Sequence, residues 1–198
     1  MGSYVNRRSD PVDDLTPAGR RLLDSASELF YAHGINAIGV EAIARAAGVT
    51  KKTLYDRFGS KDALVAAYLT DRWQRWQAWL EGRLALLAPA DRPLGVFDSL
   101  ETWLGQVPRR GCAFVNAAAE LTSNDVGRGV VIAEKAWMRE LYIRLIAETG
   151  RSGPDAERLG AQLFMLHEGA NVAYVLNAED TAVATARAAA QALLTHRT

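Results

Sequence analysis

Apolar residues recur at three- and four-residue intervals along almost the whole chain, and the alternating pattern of a half-buried strand is nearly absent. This spacing predicts an all-α fold, because it places apolar side chains on one face of a helix. Apolar residues make up 49% of the 198 positions, enough to bury a core in one or two small domains. Glycine and proline residues divide the pattern into predicted helices over 17–33, 40–47, 51–58, 61–87, 93–106, 113–122, 125–149, 155–177 and 180–195.

The first helices carry start and stop signals. Thr16 followed by Pro17 is typical of a helix N-terminus, and Gly34 suits the left-handed turn that ends many helices. Thr50 and Ser60 are placed to cap the third and fourth helices with their hydroxyl groups. Three short helices joined by tight, glycine-containing turns are typical of a compact DNA-binding unit.

The predicted third helix has two distinct faces. At 100° per residue, Leu54 and Phe58 share one face and should pack inward. The opposite face carries two cations, a phenol and a carboxylate, on Lys51, Lys52, Tyr55 and Asp56. Lysine can donate to guanine O6 and N7, a carboxylate can accept from cytosine N4, and tyrosine can bind phosphate, so this strip suits a major groove. The alternative is an ordinary solvated face, since exposed charges are common.

The same segment resembles the DNA-binding signature of TetR-type repressors. The matching elements, in unbroken spacing, are Ala32-His33-Gly34, Ile43-Ala44, Ala47-Gly48-Val49-Thr50, Leu54-Tyr55, Phe58 and Ser60-Lys61-Asp62-Ala63-Leu64. The rest of the chain is similar to the family only in length and helix pattern.

The resemblance implies a helix-turn-helix DNA-binding domain over 16–60 and a helical ligand-binding and dimerisation domain over 61–198. We expect residues 1–15 to form a flexible tail. The resemblance also implies a homodimer on an operator with two-fold pseudosymmetry. By the family pattern, Tyr55 and Lys61 contact phosphates, and the residues that face DNA are Thr50, Lys51, Lys52, Thr53, Tyr55 and Asp56.

Two positions depart from the family pattern. The family commonly has Thr or Ser just before the second helix, where this chain has Ile38 and Gly39. Glycine can still cap a helix, but a hydroxyl contact to phosphate is missing. Asp56 stands where a neutral or basic residue is more usual, so the base preference of relatives cannot be transferred to this chain.

Small and apolar residues form a stripe on each of the last two predicted helices. The stripe on the first of them consists of Ala156, Leu159, Leu163, Leu166, Ala170 and Ala173. The stripe on the last helix consists of Val183, Ala186, Ala190 and Leu193. Two such helix pairs can form a four-helix bundle across a two-fold axis, so the stripes predict a dimer interface. The alternative is that both stripes pack inside one chain.

Aromatic and polar residues predict a pocket for an apolar or aromatic molecule in the helical domain. The predicted lining residues are Trp103, Phe114, Asn116, Trp137, Met138, Tyr142, Phe164, His167 and Asn171. The alternative for each aromatic residue is an ordinary core position. His167 could bind the ligand, respond to pH or be a core histidine with a satisfied hydrogen bond. His167 and Glu168 are adjacent and point in different directions on a helix, so no metal site is predicted.

Composition restricts the remaining possibilities. Cys112 is the only cysteine, which excludes a disulfide within the chain and a Cys-x-x-Cys metal site. The cations before it and a helix N-terminus could lower the pKa of its thiol for redox sensing, and a small buried hydrophobe is the alternative. Whole-chain charge is balanced at 23 basic and 23 acidic residues and identifies no polyanionic partner. No 18-residue apolar run or signal peptide is present, so a cytoplasmic protein is expected.

The sequence therefore predicts a ligand-responsive transcription regulator, with double-stranded DNA, a small effector and a second copy of the chain as partners. Repression is taken from the family resemblance. An enzyme in the helical domain is one alternative, but no nucleophile elbow, phosphate-binding glycine loop or metal-spaced His/Glu set is present, and no cofactor is expected. A helical ligand-binding protein or scaffold with a degenerate DNA-binding unit is the other alternative.

Overall fold

A computed structural model describes Val12 and residues 15–106, 110–176 and 181–195 of the chain. Within these ranges the chain forms nine α-helices and no strand, which confirms the predicted all-α fold. The predicted bounds differ from the observed ones by at most three residues. The helices are α1 Pro17–His33, α2 Val40–Ala46, α3 Lys51–Phe58, α4 Lys61–Leu84, α5 Arg92–Gly105, α6 Ala113–Glu120, α7 Val126–Glu148, α8 Gly153–Val175 and α9 Ala182–Thr195.

The predicted tail over 1–15 lies mostly outside the described residues. Val12, which is described, is buried, and its carbonyl oxygen accepts a hydrogen bond from Arg20 Nη2 at 3.2 Å. The chain at Val12 is therefore packed rather than free.

The chain divides into two compact units. The first comprises the residues up to Arg72 together with Ala117–Val130, and the second comprises Trp73–Asn116 and the residues from Val131 onward. The boundaries fall inside α4, α6 and α7, so these three helices contribute residues to both units. The predicted division between residues 60 and 61 lies at the start of α4, whereas the first compact unit extends to Arg72 and includes Ala117–Val130; the predicted domains and their separate roles stay a prediction.

The first unit contains a small core built around α1, which contacts both α2 and α3. Helix α3 contributes a single buried residue, Leu54, and the aromatic rings of Phe30 and Tyr68 lie 5.7 Å apart. Burying each such side chain stabilises the fold by about 1.5–3 kcal/mol. The core of this unit includes Leu22, Leu23, Ala26, Phe30, Ile43, Ala44, Leu54, Leu64 and Tyr68.

Hydroxyl caps fix the starts of three helices in this unit. The side-chain oxygens of Thr16, Thr50 and Ser60 accept hydrogen bonds from the backbone N–H groups three residues later, at 3.3, 3.1 and 3.0 Å. Each bond satisfies a backbone donor that has no partner inside its helix. The caps predicted from the sequence are confirmed.

The second unit is built around one large apolar core, to which α5, α7, α8, α9 and the second half of α4 contribute. All five tryptophans of the chain belong to this unit. Trp103 packs at 5.2 Å between ring centroids against both Trp76 and Trp79, and Trp73 packs at 6.3 Å against Trp137.

Gly160 allows α7 and α8 to approach closely. A Cβ atom at this position would lie 2.8 Å from the Cα and backbone nitrogen of Ile143. Because these are backbone atoms, no side-chain rotation could relieve the clash. The glycine thus serves helix packing inside the second unit. No helix in the described part of the chain is both long and apolar enough to cross a membrane.

Candidate functional site

Helix α3 presents most of its side chains to solvent. Leu54 is fully buried, whereas Lys51, Lys52, Tyr55 and Asp56 are exposed. Phe58 is half-buried at the end of the helix, on the face of Leu54. The two faces that the sequence predicts for this helix are therefore present in the structure.

Both lysines of α3 form ion pairs. Lys52 Nζ lies 2.7 Å from Asp56 Oδ2 on the next turn, and Lys51 Nζ lies 2.5 Å from Glu41 Oε1 in the first turn of α2. The hydrogen bond and charge of Lys51 lower the pKa of Glu41, and the same contact raises the pKa of Lys51. All four side chains are at least half exposed, so these pairs can open at little cost.

The remaining predicted DNA-facing residues lie around this strip. The Thr50 and Thr53 hydroxyls are 2.9 Å apart at the start of α3, and the Tyr55 ring is 42% exposed with Lys51 Nζ 5.9 Å from its centroid. Lys61 is only half exposed, and its ammonium donates to the carbonyl oxygen of Ile35 at 2.7 Å. An ammonium has three N–H donors, so this bond leaves two for another partner.

The start of α2 lacks a side-chain cap. Gly39 occupies the cap position with extended backbone and forms no side-chain hydrogen bond. The turn before α2 therefore lacks the hydroxyl cap that is common in the family. Glu41 instead supplies a negative charge near the N-terminus of this helix.

The loop after α1 is fixed by the end of α6, within the first unit. The Glu120 carboxylate accepts a hydrogen bond from the Asn36 backbone N–H at 2.7 Å, and Asn36 Nδ2 donates to the Glu120 carbonyl at 3.2 Å. Gly34 has φ +93° and ψ 154°, a conformation that essentially only glycine adopts. A Cβ there would lie 3.0 Å from a Glu120 carboxylate oxygen. Glu120 thus holds the turn that leads into α2.

Several predicted ligand residues lie in the packed core of the second unit. Tyr142 is fully buried and its hydroxyl lies 3.1 Å from His167 Nδ1. Burial, reinforced by the charge of Lys135, lowers the pKa of His167 to about 3. The imidazole is therefore neutral at physiological pH, and His167 is a core histidine with a satisfied hydrogen bond.

The aromatic residues predicted to line a pocket are divided between different contacts. Trp103 belongs to the cluster with Trp76 and Trp79, and Trp137 packs against Trp73. The buried Met138 sulfur accepts a hydrogen bond from Trp76 Nε1 at 3.4 Å, and Phe164 is half-buried against the core. For these residues the structure favours the alternative of ordinary core packing.

Phe114 and Cys112 lie beside a group of charged residues. Lys135 Nζ is 5.8 Å from the Phe114 ring centroid, 3.5 Å from Cys112 Sγ, 2.9 Å from Glu168 Oε1 and 3.2 Å from Glu134 Oε2. Burial raises the pKa of Glu134 to about 7. Burial also raises the pKa of the Cys112 thiol and outweighs the nearby ammonium, so a thiolate is disfavoured and a redox role gains no support.

A small cleft of about 150 Å³ opens beside Cys112, between the start of α6 and the end of α8. Asn116 and Asn171 are the two predicted ligand residues that reach it. Their Nδ2 groups donate to the Arg110 and His167 carbonyl oxygens, at 2.8 and 3.2 Å. The other lining residues are Cys112, Val115, Val172, Val175 and Leu176.

The predicted dimer stripes face the core of their own chain. Leu159, Leu163, Ala170, Val183, Ala186 and Ala190 are all buried in the core of the second unit. Their burial favours the alternative that these stripes pack inside one chain, because a buried side chain has little surface left for a partner; a role for these six residues in a dimer interface stays a prediction. Leu166 and Ala173 are half-buried, and these two and Leu193, at the edge of the core, keep surface for other contacts.

The opposite face of α8 is apolar and exposed. Met165 is 67%, Val172 43% and Leu176 71% exposed. A shallow groove of about 400 Å³ runs beside Met165, lined also by Ala161, Gln162, Leu166 and Leu193. The exposed face of α9 carries Ala184, Ala188 and Ala192. We call this combined surface the α8–α9 face.

Sequence reasoning missed Glu41, Glu120 and Met165. A carboxylate in the first turn of α2 was a visible signal for Glu41, since such positions favour acidic residues. Met165 lies outside the apolar stripe that was selected, and its exposure could not be read from spacing. No group of His, Cys, Asp and Glu residues that could hold a metal ion occurs within the described ranges.

Comparison with known proteins identifies similar chains. The family described as bacterial regulatory proteins, tetR family, matches residues 22–68, which span α1 to the first part of α4. A crystal structure of a TetR-family transcriptional regulator from Streptomyces coelicolor shares 32% identity, covering 89% of this chain and 94% of that one with a TM-score of 0.79. A TetR-type regulator from Streptomyces avermitilis shares 29% identity, with 89% and 99% coverage and a TM-score of 0.73.

A curated relative from Mycobacterium tuberculosis is described as an uncharacterized HTH-type transcriptional regulator. It is 31% identical over 120 residues. The match covers 60% of this chain and spans 59% of the relative's length.

Proposed function

The chain belongs to the TetR family of transcriptional regulators, and we propose that it is a repressor that binds a pseudo-palindromic operator as a homodimer and is released by a small apolar or aromatic effector. The DNA-binding part rests on α3. Leu54 anchors this helix in the core of the first unit, while the opposite face offers ammonium groups, a phenol and a carboxylate to a major groove.

Phosphate contacts would position this helix. Thr50, Thr53, Tyr55 and Lys61 surround the base-reading strip and carry groups that donate to phosphate oxygens. Lys61 would use the donors left by its bond to the Ile35 carbonyl. The ion pairs of Lys51 and Lys52 would open or share their lysines with DNA on binding.

The α8–α9 face supports the homodimer. Large apolar side chains such as Met165 and Leu176 are exposed there next to a groove, and the alanines of α9 allow a second helix to approach closely. A second copy would bury both surfaces in a four-helix bundle. We therefore place the dimer interface on this face, with Leu166 and Ala173 at its edge.

The cleft between α6 and α8 is our candidate effector site. Its apolar walls and two asparagine side chains suit a small apolar molecule with one or two polar groups. Val115 and Asn116 line the cleft near the start of α6, and Glu120 at the end of the same helix holds the loop before α2. A ligand that shifts α6 would therefore change the position of the loop that holds α2 and α3. Such a ligand must bind the DNA-free state better than the DNA-bound state.

Operator binding is tested by fluorescence anisotropy on DNA selected from the host genome, against scrambled DNA over a salt series. We expect selective binding that weakens with salt and is lost in the Lys52→Ala, Tyr55→Ala double variant. Arg144→Ala, which removes an exposed cation of α7, is the matched control and should bind normally. Equal affinity for all DNA, with no sequence enriched, would overturn the function.

Dimerisation is tested by sedimentation of Met165→Glu. A charge on the α8–α9 face should shift the protein from dimer to monomer, because an unpaired charge is costly to bury. Leu86→Glu is the control, since Leu86 is 87% exposed outside this face. A dimeric Met165→Glu, or a monomeric wild type, would contradict the proposed interface.

The effector site is tested with the same anisotropy assay. A panel of small aromatic compounds is screened for release of the protein from its operator, and active compounds are tested on Val115→Trp, which fills the cleft. Ala119→Trp, at an exposed position on the same helix, is the control. Active compounds should release the wild type and Ala119→Trp from the operator but fail to release Val115→Trp. Full release of Val115→Trp would show that the effector binds elsewhere.

A further inference from the structure

The Lys52–Asp56 pair is an unusual feature for a surface that binds a polyanion. Its ammonium and carboxylate lie 2.7 Å apart, with 83% and 55% of the side chains exposed. Exposed pairs of this spacing contribute little to stability, so folding alone gives little reason for an acidic group here. A carboxylate near DNA is also repelled by phosphates. At a DNA surface the Asp56 carboxylate is therefore best placed beside further hydrogen-bond donors.

The edges of base pairs in the major groove offer such donors in a fixed order. A G·C pair presents the acceptors N7 and O6 of guanine, followed by the N4 donor of cytosine. O6 and N4 are joined by one Watson–Crick hydrogen bond, so they lie within hydrogen-bond distance of each other. An A·T pair presents acceptor, donor, acceptor and then a methyl group. Two adjacent acceptors beside a donor occur only in the G·C order.

The ion pair matches this order. Resting on the proposed DNA-binding function, we propose that Lys52 and Asp56 together read one G·C pair in each operator half-site. Lys52 Nζ donates to guanine O6 and N7, while the Asp56 carboxylate accepts from cytosine N4. The ion pair can stay intact during these contacts. The Lys52 ammonium meets the guanine acceptors and the Asp56 carboxylate meets the cytosine donor, and the two pairs of groups have similar spacing.

The neighbouring lysine differs in its partner. Lys51 is held by Glu41 of α2, so its pair joins two helices and does not place donor and acceptor on one helical face. The charges of Glu41, Lys51, Lys52 and Asp56 sum to zero, which removes the general attraction of these four groups to phosphates. What these four groups keep is their specific hydrogen-bonding pattern, so they should contribute to selectivity more than to affinity for any DNA.

The test combines operator selection with base substitution. Random DNA is enriched with the wild type, and each position of the selected half-site is then changed in turn. We expect one G·C pair whose replacement by A·T weakens wild-type binding about tenfold or more. Asp56→Ala should reduce this discrimination, because only the Lys52 contact to guanine remains. Asp56→Asn should shift the preference at the same position towards adenine, which asparagine binds through N6 and N7.

A chemical probe isolates the proposed hydrogen bond. N4-methylcytosine at that position should weaken the wild type and leave Asp56→Ala unaffected. Glu41→Gln is the matched control, because it removes a carboxylate from the same surface and should keep the base preference. An operator whose base preferences are unchanged in Asp56→Ala would overturn this inference while leaving the regulator function intact. Enrichment of no sequence by the wild type would overturn both.

Discussion

Helices α3 and α8 both expose a full face, and the two exposed faces differ in chemistry. On α3 the solvent-facing side chains are charged or polar, and both lysines form ion pairs, Lys52 with Asp56 and Lys51 with Glu41 of α2. On α8 they include Met165, Val172 and, at the C-cap, Leu176, which have no polar group to offer water. A neutralised charged face fits a partner with hydrogen-bonding edges, and an apolar face fits a partner that is equally apolar. The two faces therefore suit the two different kinds of binding that we propose for them.

The burial behind each face differs as well. Helix α3 is held by one buried residue, Leu54, whereas α8 buries seven residues, among them Leu159, Leu163 and the polar His167 and Asn171. Helix α8 is therefore part of the structural core of its unit, while α3 is a short element carried on the core of the first unit. Substitutions should separate these roles.

The largest expected effect comes from the two faces of α8. Leu163→Ala should reduce the free energy of unfolding by about 2–5 kcal/mol, because it leaves a cavity in the core. Met165→Ala, two residues away on the exposed face, should change the stability of the monomer little and weaken self-association. Urea denaturation at low protein concentration measures the first effect, and sedimentation measures the second. Similar losses of monomer stability in both variants would contradict the assignment of faces.

The next effect compares a buried with an exposed carboxyl group. The pKa of Glu134 is raised to about 7 from 4.5, so its stabilising contribution is present below pH 4.5 and is lost as pH rises through 7. Glu134→Gln should become more stable than the wild type by about 3 kcal/mol between pH 5 and pH 8. Asp56→Asn, which removes an exposed carboxyl of α3, should change stability little. Urea denaturation at both pH values gives the comparison, and a pH-independent gain would refute the assigned cause.

The smallest stability effect is expected at the exposed face of α3. Lys52→Ala should unfold at the same urea concentration as the wild type, because an exposed pair on one helix contributes little. Its operator affinity should nevertheless fall. A clear loss of stability would mean that the strip supports the fold rather than DNA recognition.

The α3 region could be predicted because several signals agree there. The Thr50 cap, the glycine turns and the single apolar face all specify the same short helix, and the family signature covers it. Helix ends elsewhere were predicted nearly as well, since glycine and proline mark them. Helical spacing together with these glycine and proline signals is therefore enough to predict the element order of this all-α chain.

The exposed apolar residues of the α8–α9 face could not be predicted from the sequence, for a physical reason. Helix α8 has apolar residues on two sides, and periodicity identifies such faces without telling which one meets the core. The regular stripe of Leu159 and Leu163 turned inward, and the less regular stripe of Met165 and Val172 remained outside. The ligand cleft was predicted only at Asn116 and Asn171, because single aromatic residues fill cores as readily as pockets. The partners of Lys51 and Glu120 could not be predicted from the sequence, because they depend on side-chain rotamers and on residues that are near only in three dimensions.

The placement of the tryptophans gives this protein a built-in optical label. All five indoles belong to the second unit, so intrinsic fluorescence excited at the red edge of protein absorption follows the unfolding of that unit alone. Circular dichroism follows the helices of both units. Coincident transitions by the two signals would mark a single cooperative unfolding event, and separated transitions would give each unit its own stability. Operator DNA should then stabilise the first unit, which contains no tryptophan, and an effector should stabilise the second unit, which the fluorescence reports.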